Sequence, residues 1–192
     1  MLNVVLQPNE SGFIVTSNQT LQSLPIKLDG LNEQITSIDG DWKVFFDPKW
    51  GGPGEVTFNN LTDWTKNTDD RIKYYSGTAV YRKTIQLDKA VSGEQVLLRF
   101  QELGSIARIL INGEEVSTVW CSPWEADITQ HIQKGENTLE IQVVNSLTNR
   151  MVGDSSLPDS KRFTYAFLEV VTLNTSLVPS GIMDKVLLVK RL

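Results

Sequence analysis

From residue 77 onward the chain is dominated by short runs in which apolar and polar side chains alternate, separated by compact turns. In "GTAVYRKTIQL" (77–87), Ala79, Tyr81, Lys83 and Ile85 fall on one face and Val80, Arg82, Thr84 and Gln86 on the other. "EQVLLRFQEL" (94–103), "SIARILING" (105–113), "EEVSTVW" (114–120), "NTLEIQVVN" (137–145), "AFLEVVTL" (166–173) and "DKVLLVKRL" (184–192) follow. Upstream, "GFIVTS" (12–17), "LPIKL" (24–28), "GDWKVFF" (40–46) and "GEVTFNNL" (54–61) are further strand candidates. A period of two marks strands that bury one face. Asn112-Gly113 is a two-residue hairpin signal, because both central residues must adopt positive φ. "KGEN" (134–137) supplies a second turn with a glycine. No stretch carries a long helical period, and 127–133 offers at most one or two helical turns. Many short strands between regular turns predict an all-β chain, a β-sandwich of jelly-roll type.

One passage breaks the rhythm. Residues 47–77 hold Gly51, Gly52, Pro53 and Gly54, then polar turns and several aromatics. So irregular a segment in a compact domain is a functional loop or a packed cover over a sheet. Trp42, Phe45, Phe46 and Phe100 lie on strands and are expected in the core, and Trp50 is placed as a plug at one end of the sandwich.

Composition narrows the function. With 192 residues, 40% hydrophobic and 21% charged, the chain is an ordinary globular one, long enough for one large domain or a domain plus an appendage. A net charge of -5 argues against a nucleic-acid partner, whose phosphates call for a basic surface. No run approaches the ~20 apolar residues of a membrane helix, so no membrane partner is expected. The N-terminus has neither the basic start nor the apolar core of a signal peptide. Cys121 is the single cysteine and His131 the single histidine, which excludes an intramolecular disulfide, multi-cysteine zinc sites and most catalytic triads.

Several motifs in order resemble a known family. They are Trp42 and Phe46, the Trp50–Pro53 loop, Leu61 with Trp64, and the Tyr75–Tyr81 segment. The Asn-Gly hairpin follows, then a Trp-x-x-Pro loop at 120–123, Asp-Ile-Thr at 127–129, and the Asn145 to Asp154 run. Together they resemble the family-2-like sugar-binding domain of large glycoside hydrolases, with the C-terminal domain of the α-L-rhamnosidase type most alike. The resemblance covers roughly residues 37–192. It implies a galactose-binding-like jelly roll in which catalysis belongs to a separate barrel domain, so this chain alone is not expected to be an enzyme. Carbohydrate and the catalytic domain of the parent hydrolase are the implied partners; an independent lectin-like sugar-binding protein and, less favoured, a standalone jelly-roll enzyme are the alternatives. No leader is recognised in this chain, and the parent is expected to be periplasmic or extracellular.

Residues 1–36 carry a separate expectation. "LNVVLQPNESGFIVTS" resembles the closing strands of the β-domain that precedes this one in such hydrolases. The boundary then falls in "LDGLNEQITSIDG" (28–40), giving an N-terminal segment 1–36 and a sandwich 37–192. The alternative is that these residues simply add strands to the sandwich.

The candidate site lies where strand 138–145 ends. Asn145, Asn149, Arg150 and Asp154 arrive together, and amides and guanidinium groups suit sugar hydroxyls because each offers paired donors or acceptors. Trp120, Trp124 and Tyr75 are the aromatics proposed to stack on a pyranose, with Trp50 and Tyr74 also in reach of the role. The plainer reading competes with each. Asn in a turn commonly bonds backbone, Arg150 and Asp154 can pair with each other, and large Trp side chains are usually buried. Catalysis would need two carboxylates roughly 5–9.5 Å apart. Glu102, Glu125 and Asp127 lie near strand ends, but none sits in a recognisable catalytic motif. No organic cofactor is expected. A structural calcium ion at Thr68-Asp69-Asp70 is considered, but the spacing of a calcium loop is missing, and a solvated acidic turn is the simpler reading.

Overall fold

Ten strands form among the described residues, which are 33–88, 94–165 and 171–191 of the computed structural model. They are β1 (Glu33–Ser37), β2 (Trp42–Phe46), β3 (Gly54–Phe58), β4 (Thr78–Leu87), β5 (Gln95–Gly104), β6 (Ile106–Ile111), β7 (Glu114–Val119), β8 (Glu125–Asp127), β9 (Gly135–Val144) and β10 (Gly181–Arg191). All pairings are antiparallel. One sheet has the order β1-β10-β5-β8 and the other β3-β2-β4-β9-β6-β7. The two form an all-β sandwich. The candidate strands at 12–17 and 24–28 lie outside the described residues, as does most of 166–173.

Alternation in the sequence becomes burial in the core. Trp42, Val44 and Phe46 of β2 point inward, as do Ala79 and Tyr81 of β4 and Leu139, Ile141 and Val143 of β9. Lys83 shares the inward parity of β4. It escapes burial by laying its ammonium 5.3 Å from the centre of the Trp42 ring and donating to the Asp41 carbonyl at 3.0 Å. Phe45 has the opposite parity and is only half-buried, so the expectation that it belongs to the core fails on the strand period itself.

The irregular passage after β2 is a packed cover. Trp64, Ile72 and Tyr75 enter the core, and Phe46, Trp64 and Tyr75 meet edge to face at centroid distances of 5.0 to 5.9 Å. The Trp64 indole N–H donates to the Tyr81 hydroxyl at 2.6 Å, so two buried polar groups satisfy each other. Asp69 caps the short helix α1 (Asp70–Lys73) by accepting from the Arg71 amide at 2.9 Å. Its carboxylate also accepts from Nε and Nη2 of Arg71. The acidic turn considered for calcium is therefore a helix cap with its own cation. No cluster of three or more metal-ligating side chains occurs among the described residues.

The second helix, α2 (Thr148–Asp154), stands where the sequence reading expected a loop. Residues 33–36, assigned to the segment before the sandwich, are part of β1 and pair with β10 in the sandwich itself. Glu33 joins a network there. It accepts from Arg99 at 3.0 and 3.1 Å and from Arg191 at 2.6 Å, while Glu125 accepts from Arg99 at 2.5 Å and from Arg191 at 3.1 Å.

Hydrogen bonds from Arg99, then from Arg191, hold the Glu33 carboxyl below its ordinary range despite some opposing desolvation. A lowered folded-state value stabilises the fold above the unfolded value of about 4.3 and ceases to do so as pH falls through the folded one. Glu33→Gln is expected to cost about 1 kcal/mol at pH 7 and to flatten the loss of stability on acidification below about pH 4.3. Thermal melts of both proteins between neutral and acid pH check this, and parallel acid curves would contradict it.

Candidate functional site

Strand register places the residues singled out by sequence at one end of the sandwich. Gly54, Phe46, Ala79, Val143, Ala107 and Val119 pair in one continuous row across all six strands of the larger sheet. Just beyond this row, on the same rim, lie the Asp47–Pro53 loop, Ser76-Gly77, Ser105, Trp120 and Asn145. Asn145 leads into α2. In the other sheet, Gly104 pairs with Gly181 at this same end. Neighbouring strands are about 4.8 Å apart, so Trp120 on the β7 edge and Asn145 beyond β9 stand about 10 Å apart across two strand spacings.

Most of the polar run is occupied in holding this rim together. The Asn145 amide donates to the Tyr75 carbonyl at 2.9 Å and to Ser180 Oγ at 3.0 Å, and its oxygen accepts from the Gly77 amide at 3.0 Å. Asn149 exchanges a pair of 2.8 Å hydrogen bonds with the backbone of Val178 and donates to Ser180 Oγ at 3.2 Å. Asp154 Oδ2 accepts from the amides of Phe163 and Thr164 at 2.9 and 2.7 Å and from the Thr164 hydroxyl at 2.7 Å. These three side chains replace secondary structure as the partners of loop backbone.

Tyr75, offered as a stacking platform, is fully buried, and its hydroxyl accepts from the Asp47 amide and donates to the Thr78 carbonyl. Its ring therefore presents no face to a ligand. Trp124 is half-buried and packs against the core. Trp120, by contrast, is 70% exposed, and Trp50 projects at 52% exposure instead of plugging the sandwich.

Arg150 differs from its neighbours. Its backbone amide donates to Ser76 Oγ at 3.0 Å, which fixes α2 against the turn before β4. Its side chain is buried, with the guanidinium carbon 5.0 Å from the centre of the Phe163 ring. Asp154 Oδ1 lies 3.7 Å from Nη1, near enough for charge attraction but too far for a hydrogen bond. Nε and Nη2 of Arg150, and Oδ1 of Asp154, have no hydrogen-bond partner among the described residues. Burial pushes the guanidinium pKa down, against the favourable charge of Asp154.

Arg150 lines a cleft of about 350 Å³ together with Gly51, Gly52, Asp70, Arg71, Tyr74, Gly153, Ser156, Leu157 and Phe163, while Asp154 stands behind Arg150 and is not part of that lining. Two of its glycines let neighbours approach the backbone closely. A Cβ on Gly51 would come within 2.8 Å of the Phe163 ring and 3.2 Å of Arg150 Nη2, and one on Gly153 would meet Tyr74 at 2.6 Å. The sequence reading included Arg150 and placed Gly51 in an irregular, functional or covering loop, but did not single out Phe163. The paired glycines of "WGGPG" were the available signal for that loop.

Glu125, one of the carboxylates noted near strand ends, is engaged by Arg99 and Arg191. Asp127 accepts from Gln95 and from Thr129. A second cleft, lined by Glu94, Gln95, Asp127, Thr129, Gln130 and His131, borders these groups at the end of β8.

A two-sheet antiparallel sandwich with loops and short helices gathered at one rim defines a galactose-binding-like domain. The chain belongs to the family described as glycosyl hydrolase 2 galactose-binding domain-like, whose model matches residues 60–167. A putative beta-glucuronidase of Formosa agariphila is 34% identical over 152 residues, spanning 78% of this chain but 12% of that protein. A beta-galactosidase of Thermoanaerobacter pseudethanolicus is 33% identical over 73 residues, 36% of this chain and 10% of that protein. Among solved structures, the rhamnosidase from Novosphingobium sp. PP1Y superposes with a TM-score of 0.80 at 30% identity, covering 86% of this chain and 16% of that one. The beta-glucuronidase of Ruminococcus gnavus superposes with a TM-score of 0.60 at 21% identity, over 88% of this chain and 30% of that one, a likeness of fold. The chain thus spans a small part of each of these proteins. No helix among the described residues is long and apolar enough to cross a membrane.

Proposed function

We propose that this chain acts as a noncatalytic accessory domain of a larger, exported glycoside hydrolase and presents the α2 rim to carbohydrate. The observation that carries the reading is the placement of exposed aromatics. Trp50 and Trp120 project from that rim, and Phe163, 43% exposed, packs over Arg150 of α2, while the opposite rim of the same sheet carries the Asn112-Gly113 and Lys134-Gly135 turns. Aromatic faces stack on the apolar face of a pyranose, and a rim of backbone and side-chain donors addresses its hydroxyls. The small share of each relative that this chain spans favours action alongside a separate catalytic domain.

Isothermal titration of the purified chain with rhamnose-, galactose- and uronate-containing oligosaccharides tests the reading. Binding in the millimolar range or tighter is expected. Trp120→Ala should weaken it by about ten-fold, the loss of roughly 1–1.5 kcal/mol of stacking, without changing the melting temperature. Absence of heat with every glycan would leave a domain that only packs against its catalytic neighbour.

A further inference from the structure

We propose that the cleft beside Arg150 is a subsite for an acidic sugar, with Arg150 receiving the carboxylate. The inference deepens the carbohydrate reading above and rests on it. Its basis is a mismatch inside the rim. Asn145, Asn149 and Oδ2 of Asp154 all have partners in the protein, whereas Arg150 Nε and Nη2 and Asp154 Oδ1 have none among the described residues.

A buried guanidinium with two unmade hydrogen bonds is costly, as is a buried carboxylate oxygen without a donor. The two side chains are only 7% and 3% exposed, and their separation of 3.7 Å does not satisfy either. Arg150 offers two adjacent N–H donors, the fork that matches both oxygens of a carboxylate. A uronate carries both a planar carboxylate and neighbouring hydroxyl donors. Sulfate provides oxygen acceptors without a hydroxyl donor, and a neutral hexose has no anionic group for the fork.

The surroundings support a built site. Gly51 lets the Phe163 ring and Arg150, and Gly153 lets Tyr74, approach the backbone closely, where a Cβ would meet them at 2.6 to 3.2 Å. Arg71, also in the lining, is paired to Asp69, so its charge is already answered, and the neighbouring Asp70 adds an exposed carboxylate to the wall. Phe163 lies over the guanidinium while remaining 43% exposed, so it is the side chain a ligand would have to displace to reach the fork.

The test is a titration of the whole chain, followed by two-dimensional NMR, with sodium glucuronate, sodium galacturonate, glucose and galactose as probes. The arginine Nε–H resonance of Arg150 gives a direct readout at the fork. Each uronate is expected to bind about ten-fold tighter than its neutral counterpart, the difference that a charged hydrogen-bond pair supplies. Arg150→Gln should abolish that preference. Ser156→Trp, an exposed change at the mouth of the cleft that leaves the Arg150 and Asp154 side chains in place, should weaken uronate binding if Arg150→Gln disturbs folding.

Equal binding of acidic and neutral sugars, with an unmoved Arg150 resonance, would overturn the inference and leave the carbohydrate reading standing. No binding of any sugar would overturn both.

Discussion

Gly181→Ala is expected to lower the melting temperature by about 10 °C. Gly181 opens β10 at φ 98°, where glycine alone is unstrained. A Cβ there would fall 2.3 Å from Trp64 Nε1 and 2.6 Å from Cδ1. Trp64 cannot retreat. It is 1% exposed, packs edge to face on Phe46 and Tyr75, and donates to Tyr81. Backbone strain of about 1–3 kcal/mol and overpacking of a similar size both apply, for a loss of about 4 kcal/mol. At roughly 2–4 °C per kcal/mol in a domain of this size, the shift is readily measured by circular dichroism. A melting temperature within about 2 °C of the parent chain would show that the Trp64 packing yields more easily than its contacts imply.

Asn149→Leu is the second large effect. Leucine keeps the volume of the side chain but removes all three of its hydrogen bonds, leaving the Ser180 hydroxyl and the Val178 backbone short of partners. The expected cost is about 3 kcal/mol. It should also act locally, because those bonds tie α2 to the strand-leading segment before β10. Amide hydrogen exchange at Arg150–Asp154 is expected to accelerate more than exchange in β9. Uniform acceleration across the domain would mean that α2 has no local opening of its own.

The fold was legible wherever a strand buries one face. Trp42, Val44 and Phe46, and Leu139, Ile141 and Val143, alternate in sequence and all turn inward. The same rule was silent for β1. That strand is exposed along nearly its whole length, with Ile35 51% exposed, so its pairing with β10 rests on backbone bonds and the Glu33 network instead of an apolar face. The rule also missed α2. There the buried residues include Asn149, Arg150 and Asp154, and a pattern reading assigns such residues to solvent. Asn149 and one oxygen of Asp154 are answered by loop backbone up to 29 residues away in sequence, which no local window contains.

For the candidate site, the polar run and the exposed Trp120 were visible in the sequence. Their division of labour was not. Asn145 and Asn149 secure the rim, Tyr75 is buried beneath it, and Arg150 keeps two donors without a partner among the described residues. That distinction depends on which backbone groups surround each side chain, and the topology supplies it.

Chemical-shift mapping of the isotope-labelled chain with an oligosaccharide mixture containing neutral and uronate residues is the measurement that bears most directly on the carbohydrate rim. Perturbations are expected in the Asp47–Pro53 loop, at the Trp120 indole and through Thr148–Phe163, with the opposite turns at Asn112-Gly113 and Lys134-Gly135 unmoved. Perturbations confined to those opposite turns, or none anywhere at millimolar sugar, would contradict a sugar-facing role for this rim.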